Sequence, residues 1–345
     1  LRLSHSAVLR PSKELRELLR SCLELSERLG DPRAASYSLY WMGFLEHSLG
    51  RWAGSRDYSE RCMARAEERR DARLLSMAYA NLGQTLFHTG DYPEAMRLLE
   101  DSVRLSRPTS ESAAGRFISY PLGYQAMIHA DSGRFDLADK RLEEAGTLLR
   151  DAGLLYVEAG VAATRGVVEL FRGDWSAWRK SALELEGKSK GIGASFMQAP
   201  SQTLGGYARC FDGQRSEGLA RMRTGVEMLE RSEISMMLSF LYACLAEALA
   251  LGGELDEAQS FAQRALEHAT TREDRMGEPA AYRVLLLVTA RRSPGERDRI
   301  DAALDAALAA AERRGSVRDA LITTLRAAEL LAERDPAWAR ARLLD

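Results

Sequence analysis

Five histidines, four cysteines and two glycine-bearing stretches are where this 345-residue chain could do chemistry. Gly187-Lys188-Ser189 has the ending of a phosphate-binding loop, whose backbone N–H groups cradle phosphate oxygens while the lysine neutralises them. That loop needs a glycine where Ala182 stands and a strand before it, whereas Ala177–Glu186 reads as helix. Gly191-Ile192-Gly193-Ala194-Ser195-Phe196 starts like a dinucleotide fingerprint and lacks its third glycine. Residues 187–193 therefore read as a flexible linker and the expected hinge of the chain. The histidines are His5, His47, His88, His129 and His268. His47, His88 and His129 lie three, two and four residues before a glycine, so they should point in different directions as solvated, helix-terminal side chains. Cys22, Cys62, Cys210 and Cys244 are far apart in apolar patterns, as reduced core or half-buried thiols would be. Acid pairs such as Glu143-Glu144 sit on an outer face, not in the apolar setting that general acid–base work requires. No catalytic, cofactor-binding or metal site is expected, and any catalysis would belong to domains outside this chain.

The elements that would position such residues are set by a repeat. Glycine, a polar residue, a large apolar residue, two more and alanine recur as Gly90-Asp91-Tyr92-Pro93-Glu94-Ala95, Gly133-Arg134-Phe135-Asp136-Leu137-Ala138 and Gly253-Glu254-Leu255-Asp256-Glu257-Ala258. Weaker copies start at Gly50, Gly173 and Gly213, and the six glycines are spaced by 40, 43, 40, 40 and 40 residues. The same ruler puts turns without glycine near 10, 293 and 334. Each unit reads as two helices. Leu75, Tyr79, Leu82 and Leu86 make one apolar face, Gly90 closes it, and Ala95, Leu98, Leu99 and Val103 make the next. A second glycine stands seven residues before the turn at Gly43, Gly83, Gly166 and Gly206. Mid-helix glycine costs about 1 kcal/mol against alanine, so its recurrence in register implies close approach of a partner helix. The two-helix reading extends from Pro32 to Glu333.

Leu82-Gly83, Tyr92, Ala95 and Pro108 resemble the tetratricopeptide repeat, with its small residue, seven-residue gap and Gly-x-aromatic-x-x-Ala. The period here is about 40 rather than 34, and later copies lose signature positions (Ala246 and Ser293 for glycine). The resemblance implies an all-α, right-handed superhelical solenoid of about eight helix pairs spanning 1–345. Long-period, arginine-rich arrays of this kind are similar to the C-terminal arms of bacterial STAND-type ATPase, cyclase-fusion and kinase-fusion regulators. Leu1–Leu9 resembles the tail of a first helix and Trp338–Asp345 a shortened second one, without polar caps, as in a piece of a longer protein.

Composition agrees. Nine prolines favour long helices, and 48 basic against 50 acidic residues leave no basic excess for nucleic acid or an anionic membrane. Ile234–Leu251 is the longest apolar stretch, and Glu247 within it marks a buried helix rather than a membrane span. A cytoplasmic, binding role is the expectation. In a helix-pair solenoid the first helices line the concave groove. Positions ten and six before each turn glycine hold Tyr40 and Phe44, Ala80 and Gln84, Gly123 and Met127, Ala163 and Val167, Thr203 and Tyr207, Ala243 and Glu247. Tyr37, Phe87, Tyr120, Tyr124 and Phe211 lie beside them. The row is aromatic and nearly uncharged, suited to an apolar or amphipathic segment of another protein or of the same polypeptide, held between the first and fifth units. The alternatives are a small apolar ligand or a structural spacer whose own rings fill the groove.

Overall fold

The computed structural model describes residues 12–106, 119–150, 155–192, 195–232, 234–332, 335–337 and 339–340. Sixteen α-helices of 13 to 18 residues occupy them, in alternating inner and outer order, with no strand among the described residues. The outer helices are α1 (Lys13–Arg28), α3 (Trp52–Glu68), α5 (Tyr92–Ser106), α7 (Phe135–Arg150), α9 (Trp175–Ile192), α11 (Arg215–Glu230), α13 (Leu255–Arg272) and α15 (Arg297–Arg314). The inner helices are α2 (Pro32–Ser48), α4 (Ala72–Thr89), α6 (Ser119–Asp131), α8 (Leu155–Arg172), α10 (Ser195–Phe211), α12 (Leu238–Gly252), α14 (Glu278–Arg292) and α16 (Val317–Leu331).

Burial separates the two sets. Outer α3 hides one stripe, Trp52, Ser55, Ser59, Cys62 and Ala66, the face that meets its inner neighbour. Inner α12 is buried on nearly every side from Leu238 to Ala250, because α10 and α14 flank it in the layer and α11, α13 and the turn Arg275–Gly277 pack against it. The six inner helices from α2 to α12 hand over to the next outer helix through a glycine in the left-handed region, from Gly50 at φ +67° to Gly253 at φ +94°, whereas α14 ends on Ser293 at φ −127°. Returning turns begin with side-chain caps: Asp31 accepts from the Arg33 and Ala34 N–H groups, and Asp71 from that of Leu74.

The recurrent mid-helix glycines do bring helices together, unequally. A Cβ at Gly83 would lie 2.8 Å from Leu99 Cγ, and one at Gly206 only 2.5 Å from the Gly218 carbonyl oxygen. Gly166 is different: its nearest neighbour would be Ser181 Cβ at 3.8 Å, an ordinary contact.

Two expectations need correction. Residues 187–192 are no linker: they continue α9 to Ile192, while Gly193 lies outside the described residues. The apolar stretch from Ile234 is not helical from its start, since α12 begins only at Leu238. Residues Ile234 to Met237 instead form a strap, with Met237 in the left-handed region at φ +66°. The turns expected near 10 and 334, Pro108 and both terminal segments also lie outside the described residues, apart from a few residues of the last.

Candidate functional site

The inner faces of α2, α4, α6, α8 and α10 converge on a cavity of about 110 Å³. Phe44, Gln84, Tyr120, Tyr124 and Met127 form one side, Ala163, Val167, Met197 and Leu204 another. The strap closes it with Met236 and Met237, so four thioethers line the space. Unbranched, polarisable methionines adapt their shape to an apolar guest. Gln84 has no hydrogen-bond partner among the described residues and reaches both this cavity and a polar side pocket holding Tyr40, Arg73, Ser76 and Ser102. That pocket has about 20 Å³, room for one water.

Behind the cavity wall the turn ends carry a buried cluster of rings. His88 stacks on Trp52 with centroids 4.6 Å apart, and His47 meets His88 edge-on at 5.4 Å. The Tyr124 hydroxyl lies 3.3 Å from Nε2 of both histidines. A hydroxyl has one proton, so it donates to one imidazole while the other donates to it. Burial holds His47 well below the usual histidine range, and the neighbouring His88 adds to this. Burial also lowers His88, although the Asp274 carboxylate opposes it from 3.7 Å. Both rings are therefore neutral near pH 7. The expectation of solvated histidines pointing apart fails here. Offsets along single helices ignore how adjacent inner helices stack, and stacking turns His47 and His88 toward one another.

Charged groups also reach the interior, from the later units. Arg283 on α14 is buried and donates to Asp319 (2.8 Å) and Glu247 (3.4 Å), and the Tyr207 hydroxyl donates to Glu247 (2.8 Å). Arg314 Nε donates to the Tyr92 hydroxyl at 2.8 Å, which donates to Asp131 Oδ2 at 2.6 Å. Burial and the nearby Asp319 raise the Asp131 carboxyl, against the pull of Arg314. Ser316 Oγ lies 2.7 Å from Asp131 Oδ1, and Arg318 Nε donates to the Phe171 carbonyl at 3.2 Å.

These contacts make a seam. Ser235 Oγ donates to the Leu49 carbonyl at 2.8 Å, 186 residues away in sequence. Asp274 faces His88, Arg314 meets Tyr92, Ser316 meets Asp131 and Arg318 meets Phe171. In order, turns of the late units dock on turn ends of the early ones. A separation of 186 residues is between four and five 40-residue units, so the superhelix returns on itself within its own length.

The aromatic row is accordingly divided. Phe44, Gln84, Tyr120, Tyr124 and Met127 surround the cavity. Tyr40 is buried at the side pocket, and its carbonyl accepts from Asn81 Nδ2 at 3.1 Å. Phe87 is fully buried against Tyr92, Tyr207 belongs to the charged network, and Phe211 stacks on Trp175 at 4.4 Å near the surface. Sequence reasoning missed Met197, Met236 and Met237. It also missed Arg283, whose one visible signal is a charge inside the apolar run Tyr282–Val288. All four cysteines are free, no group of three or more metal-competent side chains occurs among the described residues, and no described helix is long and apolar enough to cross a membrane.

Alternating inner and outer helices, left-handed glycine turns and a concave inner face define a helical-repeat solenoid, the architecture of protein-interaction scaffolds. Residues 33–107 match the tetratricopeptide repeat family model, and the described residues have the fold of a tetratricopeptide-type helical array. A Rap protein complexed with competence and sporulation factor is 13% identical, with 99% of this chain and 92% of that one covered at a TM-score of 0.71. Aspartyl phosphate phosphatase F from Bacillus subtilis is 11% identical, with 99% and 89% covered at 0.56. A STAND protein with a tetratricopeptide repeat sensor from Pyrococcus horikoshii is 12% identical, with 96% and 52% covered at 0.48, an overlap too loose to carry an argument. No curated protein matches the sequence.

Proposed function

We propose that this chain is the recognition arm of a bacterial regulator and binds an extended segment of a protein or peptide. One apolar side chain of that segment enters the methionine-lined cavity. The observation that carries this reading is the size and chemistry of the space. At about 110 Å³ it is smaller than the ~300–1,000 Å³ of ordinary small-molecule pockets, which disfavours a sensor of small apolar ligands. An α-helix about 10–12 Å across cannot enter it, so the space takes a single side chain of the segment. Gln84, with both a donor and an acceptor free, suits the backbone amide beside such an anchor. The likeness in fold to a Rap protein complexed with competence and sporulation factor supports a peptide as the class of partner. The segment belongs to another protein or to another domain of the same polypeptide. The arm would flex on occupancy at the end of α9, where Gly187 and Gly191 weaken the helix.

Random dodecapeptides displayed on phage and selected against the protein, then titrated calorimetrically, test this. Ala163→Phe fills the cavity without removing a polar contact. Selected peptides should carry one large apolar residue and lose affinity for the filled variant. Equal affinity for both proteins would remove the cavity from the account.

A further inference from the structure

We infer that the seam is a releasable latch that gates the groove, a regulatory role that rests on the groove reading above. The strap carrying Met236 and Met237 is at once a wall of the cavity and one tooth of the seam, through Ser235 and the Leu49 carbonyl. Gly50 lies directly under it: a Cβ there would meet the Met236 nitrogen at 2.8 Å and the Ser235 hydroxyl still closer. Release of the seam therefore moves a wall of the binding site.

The composition of the seam suits release. Within each unit, inner and outer helices are joined by apolar packing that water cannot replace. Across the seam Ser235, Arg314, Ser316 and Arg318 meet their partners through hydrogen bonds and charges, which water can replace. The Arg314 and Arg318 guanidiniums also lie over the Phe87, Tyr92 and Phe171 rings, and the strap methionines add an apolar contact. Several groups there are already under-satisfied: Arg314 Nη1 and Nη2, His88 Nδ1 and Asp274 Oδ1 are buried without a hydrogen-bond partner. Met237 is held at φ +66°, a conformation costly for a side chain other than glycine. Opening hydrates the four unpaired atoms and frees the strap. The units themselves persist, because each unit of a solenoid depends on its sequence neighbours rather than on distant turns. The closed form holds one anchored side chain, and the open form admits the segment that carries it.

Two variants of the full chain test the latch in opposite directions. Tyr92→Phe keeps the ring that packs on Phe87 and removes the hydroxyl bridging Arg314 to Asp131. A Cβ at Gly90 would lie 3.9 Å from Arg275 Cβ, within disulfide reach, so Gly90→Cys with Arg275→Cys locks the seam on oxidation. Because φ +90° at Gly90 strains any side chain there, the reduced double variant, not the native chain, is the reference. The readouts are the radius of gyration from solution X-ray scattering and the fluorescence of anilinonaphthalenesulfonate as an apolar probe, with far-UV circular dichroism as the control for folding. Tyr92→Phe should increase both at unchanged helix content. Oxidation of the double variant should lower dye binding and slow association of a selected peptide, with recovery on reduction. Unchanged scattering and dye binding in Tyr92→Phe would overturn the latch, as would equal peptide association by oxidised and reduced protein. In the second case the groove reading stands. Conversely, a seam that responds in a protein that selects no peptide sinks the groove reading alone.

Discussion

Two glycines at the same place in the repeat should respond to the same substitution with opposite signs. In Gly166→Ala and Gly206→Ala the helix gains about 1 kcal/mol of propensity, largely because the unfolded chain loses freedom. At Gly166 the new methyl meets Ser181 Cβ at 3.8 Å and Trp178 Cδ1 at 3.9 Å, so nothing opposes the gain. A net stabilisation of about 0.5–1 kcal/mol follows. At Gly206 the methyl meets two backbone atoms of α11, the Gly218 oxygen at 2.5 Å and the Met222 nitrogen at 2.9 Å. Backbone cannot rotate away, so α10 and α11 must separate, an overpacking cost of about 1–3 kcal/mol with burial lost besides. With clashes this short the cost lies toward the upper end of that range and exceeds the propensity gain, so a net destabilisation of up to about 2 kcal/mol results. Urea unfolding followed by circular dichroism reads the difference. Hydrogen exchange of the α10 and α8 amides localises it, since repeat arrays can unfold in parts. Stabilisation of Gly206→Ala as large as that of Gly166→Ala would refute the packing argument.

Other consequences follow from burial and charge. His47 and His88 are held neutral in the folded chain, so the unfolded chain takes up their protons first as pH falls below about 6.5. Their contribution is intact above that pH and is lost below it, by up to about 1.4 kcal/mol per pH unit for each ring, and His47→Gln should flatten the profile measured by urea titration at stepped pH. Asp319→Ala leaves Arg283 buried beside a lost partner and should cost about 3–5 kcal/mol, whereas Glu329→Ala, which breaks an exposed i,i+3 pair with Arg326, should cost well under 1; a thermal melt of each variant distinguishes them. Burial pushes the Cys62 thiol up to about 12 and raises that of Cys244 further, so brief maleimide labelling of the native protein read by mass spectrometry should modify Cys22 and Cys210 and spare these two.

Much of the fold was legible because its signals are local. A glycine that ends a helix leaves its mark at that position, and the six glycines of the 40-residue ruler all have positive φ. The apolar faces of Leu82 and Leu86, and of Ala95, Leu98 and Leu99, were visible for the same reason. The cavity was half legible: counting back from the turn reached Phe44, Gln84 and Met127, which share a helical face. It could not show that Tyr207 would meet Glu247, 40 residues on, or that Phe87 would lie beneath Tyr92. The seam was illegible. Arg314, Ser316 and Asp274 look like turn residues on solvated outer edges, and their partners are 185 or more residues away. What buries them is the superhelical pitch, a sum over many small unit-to-unit rotations that no single repeat records. The histidines were misread for the same reason.

In the proposed complex an extended segment places one apolar side chain in the methionine-lined cavity. The most direct measurement is the ¹³C-methyl methionine spectrum of the full chain, which has 11 methionines, recorded before and after a selected dodecapeptide is added and assigned by single Met→Leu variants. The methyls of Met127, Met197, Met236 and Met237 should shift together, while that of Met63 on outer helix α3 stays in place. Saturable binding that leaves those four unmoved would contradict that placement.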